Sequence, residues 1–366
     1  MAAKQSGARS FYKIIKGQAH KLDPQEIFQL FKQVNKERIQ TLAGSVSTYL
    51  TTNLPLAIDR REGLGDYRTN PYVLMASAHV MNLQDPQQLA EFLFNTKLYM
   101  GLETSFGKSM EAAFVSQYPL SPNTLQKWAD APEKLEEFKS LEGLSDEEKA
   151  GRRTDSMWRE IDRACVIGDH RYMTSMKSGP NCINDTQVAG MTDAIAKYHQ
   201  SWLQSTASRY AGVKKLDVII GLTYGTDKTT NNKENQILVK LLKKGFIEED
   251  ATKKPGVLID EKTRAIRVYR RVGKDFWATI GDPAAPNTTQ FVFLEILLSL
   301  ASALTTMMAH ADLETRINSR ILALVNALQK LMFPRNSLPE WVRQEFTETQ
   351  LFWFATALTA FYDDGI

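Results

Sequence analysis

The sequence predicts a mixed α/β protein in which a central mixed β-sheet is flanked by helices. Three observations favour this fold class. Residues 159–185 have the alternation and the turn of a β-hairpin, and Lys215–Tyr224 is a mostly apolar run typical of a strand buried on both faces. Long stretches on either side carry apolar residues at helical spacing.

The N-terminal region, over residues 1–100, is predicted to be helical. Asp23, Pro24 and Glu26 form a helix start signal, because Asp is a favoured N-cap, Pro fits the first helical position and Glu completes a capping box. We expect three consecutive regions, which can also pack as one domain: this helical region, a core over residues 101–230, and a final segment over residues 231–366.

The hairpin is predicted to turn at Gly168-Asp169, because Gly at the first position of a two-residue loop suits a type II′ turn. With Ile167 opposite His170, the pairing continues outward to the start of the hairpin. Alternation then places these residues on one face: Glu160, Asp162, Ser175 and Lys177. It places these on the opposite, apolar face: Ile161, Cys165, Ile167, Tyr172 and Met176.

After the hairpin, the sequence predicts a helix over residues 186–210, the buried strand Lys215–Tyr224 and an amphipathic helix over residues 233–244. Residues 257–271 are predicted to form a second hairpin, and the residues that follow are predicted to be helical. Its most apolar stretch, Phe291–Ala309, approaches the length of a membrane span. Glu295 within that stretch favours a helix buried in the protein or at a subunit interface.

The composition is that of a soluble, cytoplasmic protein. The net charge of +3 over 366 residues permits a polyanionic partner without requiring one. The basic N-terminus lacks the apolar segment of a secretory signal. Cys165 and Cys182 lack the spacing of a zinc site, and the chain has no HExxH motif and no P-loop. We expect no membrane partner and no organic cofactor.

Two carboxylates and a lysine on one hairpin face indicate a site that binds a metal and activates water. Phosphodiester hydrolysis requires charge neutralisation at the phosphoryl oxygens and an activated water, and Mg²⁺ held by acidic side chains supplies both. Asp162 and Lys177 fit the roles of metal ligand and water-orienting base. The same side chains would also suit a cross-strand set of ion pairs, each worth roughly a few tenths of a kcal/mol.

In this context the sequence resembles the PD-(D/E)XK nuclease superfamily, and within it the type II restriction endonucleases. The resemblance rests on Glu111 in SFGKSMEAAF, on Asp162 and Lys177, on the following helix and strand, and on the phrase KSGPN at residues 177–181. It covers roughly residues 100–225. It implies a restriction-endonuclease-like core, Mg²⁺ as the cofactor, and a catalytic set comprising Asp162, Lys177, Glu111 and Ser175.

Ser175 departs from the family pattern, which has Asp or Glu two residues before the lysine. A hydroxyl is a poor Mg²⁺ ligand beside a carboxylate. Some restriction enzymes with Ser at this place take the missing carboxylate from a neighbouring helix or strand. We therefore expect a metal shell of Asp162, the Met176 carbonyl and a replacement carboxylate. The replacement candidates, in order, are Glu111, Glu160, and then Glu103, Asp185 and Asp193.

The resemblance also implies double-stranded DNA as the partner. Basic residues outnumber acidic ones between Lys240 and Lys274, and lysine and arginine supply phosphate contacts while arginines on a hairpin can contact base edges. Palindromic recognition suits a homodimer, because two-fold protein symmetry mirrors two-fold DNA symmetry. The candidate DNA-binding residues are Asn181, Lys243, Lys244, Arg264, Arg267, Arg270, Arg271 and Lys274.

We therefore predict a Mg²⁺-dependent type II restriction endonuclease that cleaves double-stranded DNA at a short specific sequence. One alternative is a repair or recombination nuclease built on the same core. The other is a catalytically inactive DNA-binding relative, which Ser175 favours because it replaces the usual carboxylate.

Overall fold

The largest β-sheet of the computed structural model has seven strands and is flanked by helices, which confirms the predicted mixed α/β class. The structure describes residues 12–15, 18–21, 24–61, 63–67, 69–179, 182–226, 231–252, 254, 256–308, 312–331, 333 and 337–361.

The described strands form this sheet and one separate two-stranded hairpin. Their bounds are β1 (Tyr12–Ile15), β2 (Gln18–Lys21), β3 (Thr124–Ala129), β4 (Arg163–Ile167), β5 (His170–Lys177), β6 (Lys215–Leu222), β7 (Ile247–Glu249), β8 (Leu258–Asp260) and β9 (Ile266–Val272). The order in the sheet is β3-β4-β5-β6-β9-β8-β7. Strands β5, β6 and β9 are parallel, and all other neighbours are antiparallel.

The described chain divides into two units, one with residues 1–43 and 113–300 and the other with residues 44–112 and 301–366. The helices are α1 (Pro24–Phe31), α2 (Lys36–Asp59), α3 (Pro71–Val80), α4 (Pro86–Ala113), α5 (Pro132–Lys139), α6 (Asp146–Asp155), α7 (Asp185–Arg209), α8 (Lys233–Lys243), α9 (Lys274–Gly281), α10 (Val292–Met308), α11 (Asp312–Leu328), α12 (Glu340–Glu345) and α13 (Glu348–Leu358). The unit boundaries do not coincide with the predicted divisions at residues 100 and 230. They fall inside α2, α4 and α10.

Strands β4 and β5 form the predicted hairpin. Ile167 pairs with His170, and the register continues to Arg163 opposite Thr174. Gly168 has a φ of 57°, which a glycine adopts without strain, so the turn forms where the Gly-Asp pair predicts it. One further step in this register places Asp162 opposite Ser175.

The predicted pairing of Glu160 with Lys177 is wrong. Strand β4 begins only at Arg163, because the Ile161 N–H donates to the Trp158 carbonyl at 3.0 Å and so closes a turn instead of extending the strand. Ile161 also lies on the opposite side from the one predicted, in a buried cluster with Met173. Both faces of β5 are covered, so the hairpin has no open polar face.

Helices α7 and α8 cover one side of the sheet, which we call the α7 face. Alternate residues of the central strands pack there against both helices in one core. That core includes Met173, Val218, Ile220, Val268, Val188, Ile195, Trp202, Ile237 and Leu241. The opposite side, the α9 face, is in contact with α9: Phe276 is fully buried and lies directly against Gly221 of β6.

Glu295, on α10, is buried and fully paired, as expected for a helix buried in the protein. Its carboxylate accepts from Nε and Nη2 of Arg38, each at 2.7 Å, from the Tyr118 hydroxyl at 2.5 Å and from the Asn35 N–H at 2.7 Å. Burial, followed by the adjacent Glu295 charge, raises the pKa of Tyr118 far above its usual range. Among the described residues, no helix is long and apolar enough to cross a membrane.

The second unit is helical in the described segments and has its own core. Leu74 and Leu89 on α3 and α4 pack in this core with Leu328 on α11 and Trp353 on α13. The Trp353 indole N–H donates to the Leu83 carbonyl at 2.5 Å, so its polar atom is satisfied.

Candidate active site

The carboxyl ends of β5, β6 and β9 meet at one edge of the sheet, because the three strands are parallel and in register. Lys177, Leu222 and Val272 are aligned across this edge. Helices α7 and α8 follow β5 and β6 along the chain, and α9 follows β9 directly. Ligands of open α/β sheets bind outside the carboxyl ends of parallel strands. We call this side of the sheet the C-terminal edge.

Asp162 is fixed to the second strand of the hairpin. Its backbone N–H donates to the Thr174 carbonyl at 2.9 Å, and its Oδ2 accepts the Met176 backbone N–H at 2.6 Å. Because β4 starts after Asp162, the carboxylate replaces a backbone carbonyl as the acceptor for Met176. The bond holds Asp162 beside the last residues of β5.

Ser175 and Lys177 lie two residues apart on β5 and therefore point to the same face. Ser175 is only 1% exposed, and its Oγ has no hydrogen-bond partner among the residues that the structure describes. Lys177 is partly buried, and no described residue pairs with its ammonium group. A buried hydroxyl without a partner is unusual and is explained by a bound water, an ion or a functional role.

Glu160 is buried, but it lies in the turn before β4. Its Oε1 is 3.6 Å from Nε of Arg159, and a Cβ added at Gly190 of α7 would lie 3.0 Å from the same oxygen. Glycine at position 190 therefore makes room for this carboxylate beside the N-terminal half of α7.

The other proposed replacements for the missing carboxylate lie on α4 and α7. Glu111 lies on α4, in the second unit, and the side chain of Glu103 lies outside the described residues. Asp185 pairs with Lys233, and Asp193 pairs with Lys244 at 3.0 Å. Among the described residues, no three His, Cys, Asp or Glu side chains are grouped to hold a metal ion.

The arginines of the second hairpin do not form one basic surface. Alternation along β9 separates Arg267 from Arg270, and each pairs with a buried carboxylate. Arg267 holds Asp217 through two bonds of 2.7 Å, and Arg270 donates to Glu234 at 3.0 Å. Arg264 lies in the turn between β8 and β9 and pairs with Glu248 at 2.6 Å. Each of these three arginines is therefore engaged in an ion pair with a carboxylate of the chain.

The remaining candidates for DNA binding occupy different places. Arg271 lies over the ring of Tyr269, with 4.5 Å from its Cζ to the ring centroid. Lys243 is exposed at the C-terminal end of α8, whereas Lys274 is exposed at the start of α9, beside the C-terminal edge. Asn181 lies outside the described residues.

Sequence reasoning missed a buried polar cluster on the α9 face. Asp217 of β6 is only 1% exposed. Its carboxylate accepts hydrogen bonds from Arg267 and from the Tyr269 hydroxyl, the latter at 3.0 Å, and it pairs with His170 Nε2 at 3.0 Å. Burial alone would raise the pKa of Asp217, but the hydrogen bonds and charges of His170 and Arg267 outweigh it and lower that pKa. The available signal was the single Asp within the apolar run KLDVIIGL.

Glu234, on α8, was also missed. It is fully buried, and Oε1 accepts from Arg270, whereas Oε2 has no hydrogen-bond partner in the described part of the chain. Ser175, Ile220 and Arg270 are neighbours in one row across β5, β6 and β9. Ser175 Oγ lies in this row, and Glu234 Oε2 is linked to it through Arg270. Both are buried oxygens without a partner among the described residues. Nothing in the sequence around Glu234 distinguishes it from a solvated residue in the first turn of a helix.

No protein-family model and no curated protein matches the sequence. Comparison with known proteins therefore assigns no role to these residues. The site is therefore defined by its own geometry: a hairpin carboxylate, a buried hydroxyl and, at the carboxyl end of parallel strands, a lysine with no partner among the described residues.

Proposed function

We propose that the chain is a Mg²⁺-dependent nuclease of the PD-(D/E)XK type, acting on double-stranded DNA as a type II restriction endonuclease. One observation carries the proposal. The 2.6 Å bond from the Met176 N–H to Asp162 fixes an acidic side chain beside the β5 segment that ends in Lys177, a lysine without a partner in the described part of the chain. The order of antiparallel hairpin, helix and parallel strand supports it further, since the resemblance implies that order.

The residues of the hairpin fit a weakly held, hydrated Mg²⁺. This ion usually keeps several waters and needs only one or two protein carboxylates. Asp162 supplies one carboxylate, and the partnerless Ser175 hydroxyl offers an oxygen that the protein leaves unsatisfied. Asp162 and the Met176 carbonyl would hold the ion. When bound, it would neutralise phosphoryl charge and favour ionisation of a bound water.

Lys177 would act on the attacking water. An ammonium group with no carboxylate partner is available to donate a hydrogen bond to a water or to a phosphoryl oxygen. A paired lysine, such as Lys215 with Asp169 at the other end of β6, is already engaged by a carboxylate. Lys177 therefore orients the nucleophile, and Asp162 sets the position of the ion.

The proposed partner is double-stranded DNA, cleaved by a homodimer. Lys177 and Lys274 provide positive charge at the C-terminal edge, where a phosphate backbone would lie. Arg267 and Arg270, which are also proposed DNA contacts, are engaged by internal carboxylates.

The test is incubation of the protein with phage or plasmid DNA and Mg²⁺, with and without EDTA. Discrete fragments that disappear with EDTA are expected for a restriction endonuclease. A smear or structure-selective nicks would favour the repair nuclease. DNA retention in a gel-shift assay without cleavage would favour the inactive DNA-binding relative, and absence of both would overturn the proposal.

A further inference from the structure

The segment that follows β6 is fixed to its neighbours on both sides. The Thr223 N–H donates to the Lys177 carbonyl at 3.0 Å, and its hydroxyl donates to the Ser178 carbonyl at 3.1 Å. The Thr223 carbonyl accepts the Trp277 indole N–H at 2.8 Å. These three bonds determine where the next residue, Tyr224, leaves the sheet.

The Tyr224 ring lies against the backbone of Gly179. A Cβ added at position 179 would lie 2.2 Å from Cζ and 2.4 Å from Cε1 of the ring, which no real side chain allows. Tyr224 is nevertheless 52% exposed. The ring is therefore in contact with a glycine, while part of the Tyr224 surface is exposed to solvent.

Segments that carry lysines lie on both sides of the Tyr224 segment. The Gly273 N–H donates to the Leu222 carbonyl at 2.9 Å, and a Cβ at position 273 would lie 2.3 Å from the Gly225 carbonyl oxygen. The Tyr224 segment thus lies between the segment that carries Lys177 and the one that carries Lys274. No described residue pairs with either ammonium group.

A partly exposed aromatic ring that is supported by backbone, on a segment between two lysine-bearing segments, is an arrangement that can bind a single nucleobase. Every base has a π-face, so stacking is tolerant of sequence, and neighbouring lysines contact the phosphates. We propose that Tyr224 is a stacking platform for a nucleobase of the nucleic acid bound at the C-terminal edge. This inference rests on the proposed nuclease function and adds to it an unstacked or terminal base at the site.

The energy of a stacked base predicts a measurable effect. Base stacking on an aromatic side chain is lost on alanine substitution, which weakens binding by about tenfold or more. Tyr224→Phe retains the ring and should bind as the wild type does. Gly179→Ala should act like Tyr224→Ala, because the new methyl group displaces the ring from its support.

The experiment uses short oligonucleotides, single-stranded and duplex, that carry 2-aminopurine at varied positions, with EDTA present so that no cleavage occurs. Fluorescence anisotropy reports binding, and quenching of 2-aminopurine reports stacking. Wild type and Tyr224→Phe should quench; Tyr224→Ala and Gly179→Ala should lose quenching and bind about tenfold more weakly. Tyr99→Ala, a change of an exposed tyrosine in the second unit, is the matched control, and thermal unfolding checks each variant.

The outcomes separate this inference from the proposed nuclease function. Equal quenching and affinity in Tyr224→Ala and the wild type overturns the stacking platform, whether or not the protein cleaves DNA. Tyr224-dependent quenching without any Mg²⁺-dependent cleavage retains the platform and removes the nuclease. Failure of the wild type to bind any of the oligonucleotides overturns the platform.

Discussion

The backbone N–H of Met176 donates to Oδ2 of Asp162 at 2.6 Å, so a side chain completes the hydrogen bonding of the hairpin beyond the end of β4. Met176 is only 4% exposed, and water cannot easily replace this acceptor. The proposed metal ligand is therefore also a structural residue. Its two roles require separate tests.

Replacement of Asp162 should reveal the structural role. Asp162→Ala leaves the buried Met176 N–H without its acceptor, at a cost of about 1–3 kcal/mol in the free energy of unfolding. Asp162→Asn keeps an oxygen acceptor and should cost less, while still losing the negative charge that a metal requires. Urea unfolding of both variants measures the difference. Asp169→Asn, in the exposed turn with a surface ion pair to Lys215, should change stability by less than about 1 kcal/mol. Equal losses in the two Asp162 variants would show that the bond contributes little.

Replacement of Lys177 should reveal the catalytic role. Lys177→Ala removes an ammonium with no described partner, so the unfolding transition should stay near that of the wild type. Loss of a group that orients the attacking water should lower the DNA cleavage rate by about 10²-fold or more. Lys215→Ala, at the opposite end of the parallel strands, is the matched control. Full cleavage by Lys177→Ala would move the active site elsewhere.

Local signals in the sequence predicted the hairpin and its surroundings well. The Gly168-Asp169 turn, the helix now seen as α7 and the buried strand β6 depend on turn chemistry and on periodicity within one segment. The mistake at Glu160 came from extending the alternation past the end of β4. That end is set by contacts from elsewhere, including the donation from Lys134 Nζ to the Ile161 carbonyl at 2.9 Å.

The second hairpin shows the limit of charge patterns. Its position was predicted, and β8 and β9 do pair antiparallel. Its arginines were assigned to one DNA-binding surface, yet Arg267 and Arg270 find their carboxylate partners on β6 and α8. Those partners are distant in sequence, and only the assembled sheet brings them together.

The Asp217 cluster predicts a specific dependence of stability on pH. The pKa of Asp217 is lowered in the folded protein, so its contribution to stability is present above the unfolded value of about 3.9 and is lost as the pH falls through the lower folded value. Asp217→Asn should therefore be less stable than the wild type at pH 7, and the difference should shrink below about pH 4. Urea midpoints of both proteins from neutral to acid pH measure this difference, and a constant gap would contradict the assignment.

The partner of Asp217 gives a further test of the cluster. Arg267→Ala would leave Asp217 buried without its bidentate partner, which costs about 3–5 kcal/mol in the free energy of unfolding. Arg264→Ala is the matched control, because Arg264 pairs with Glu248 on the surface and should cost less than about 1 kcal/mol. Similar losses for the two arginines, measured by urea unfolding, would show that Asp217 is satisfied by His170 and Tyr269 alone.

Gly221 of β6 and Gly179, two residues after the end of β5, should respond differently to the same substitution. A Cβ at Gly221 would lie 2.2 Å from Cε2 of Phe276, and a Cβ at Gly179 would lie 2.2 Å from Cζ of Tyr224. Phe276 is fully buried between α9 and the sheet and cannot move without disturbing both, so Gly221→Ala should lower the free energy of unfolding by about 1–3 kcal/mol or more. Tyr224 is half exposed and can rotate away, so Gly179→Ala should cost less. Thermal and urea unfolding of the two variants decides the order, and a larger loss at Gly179 would mean that the Tyr224 ring is rigidly fixed in place.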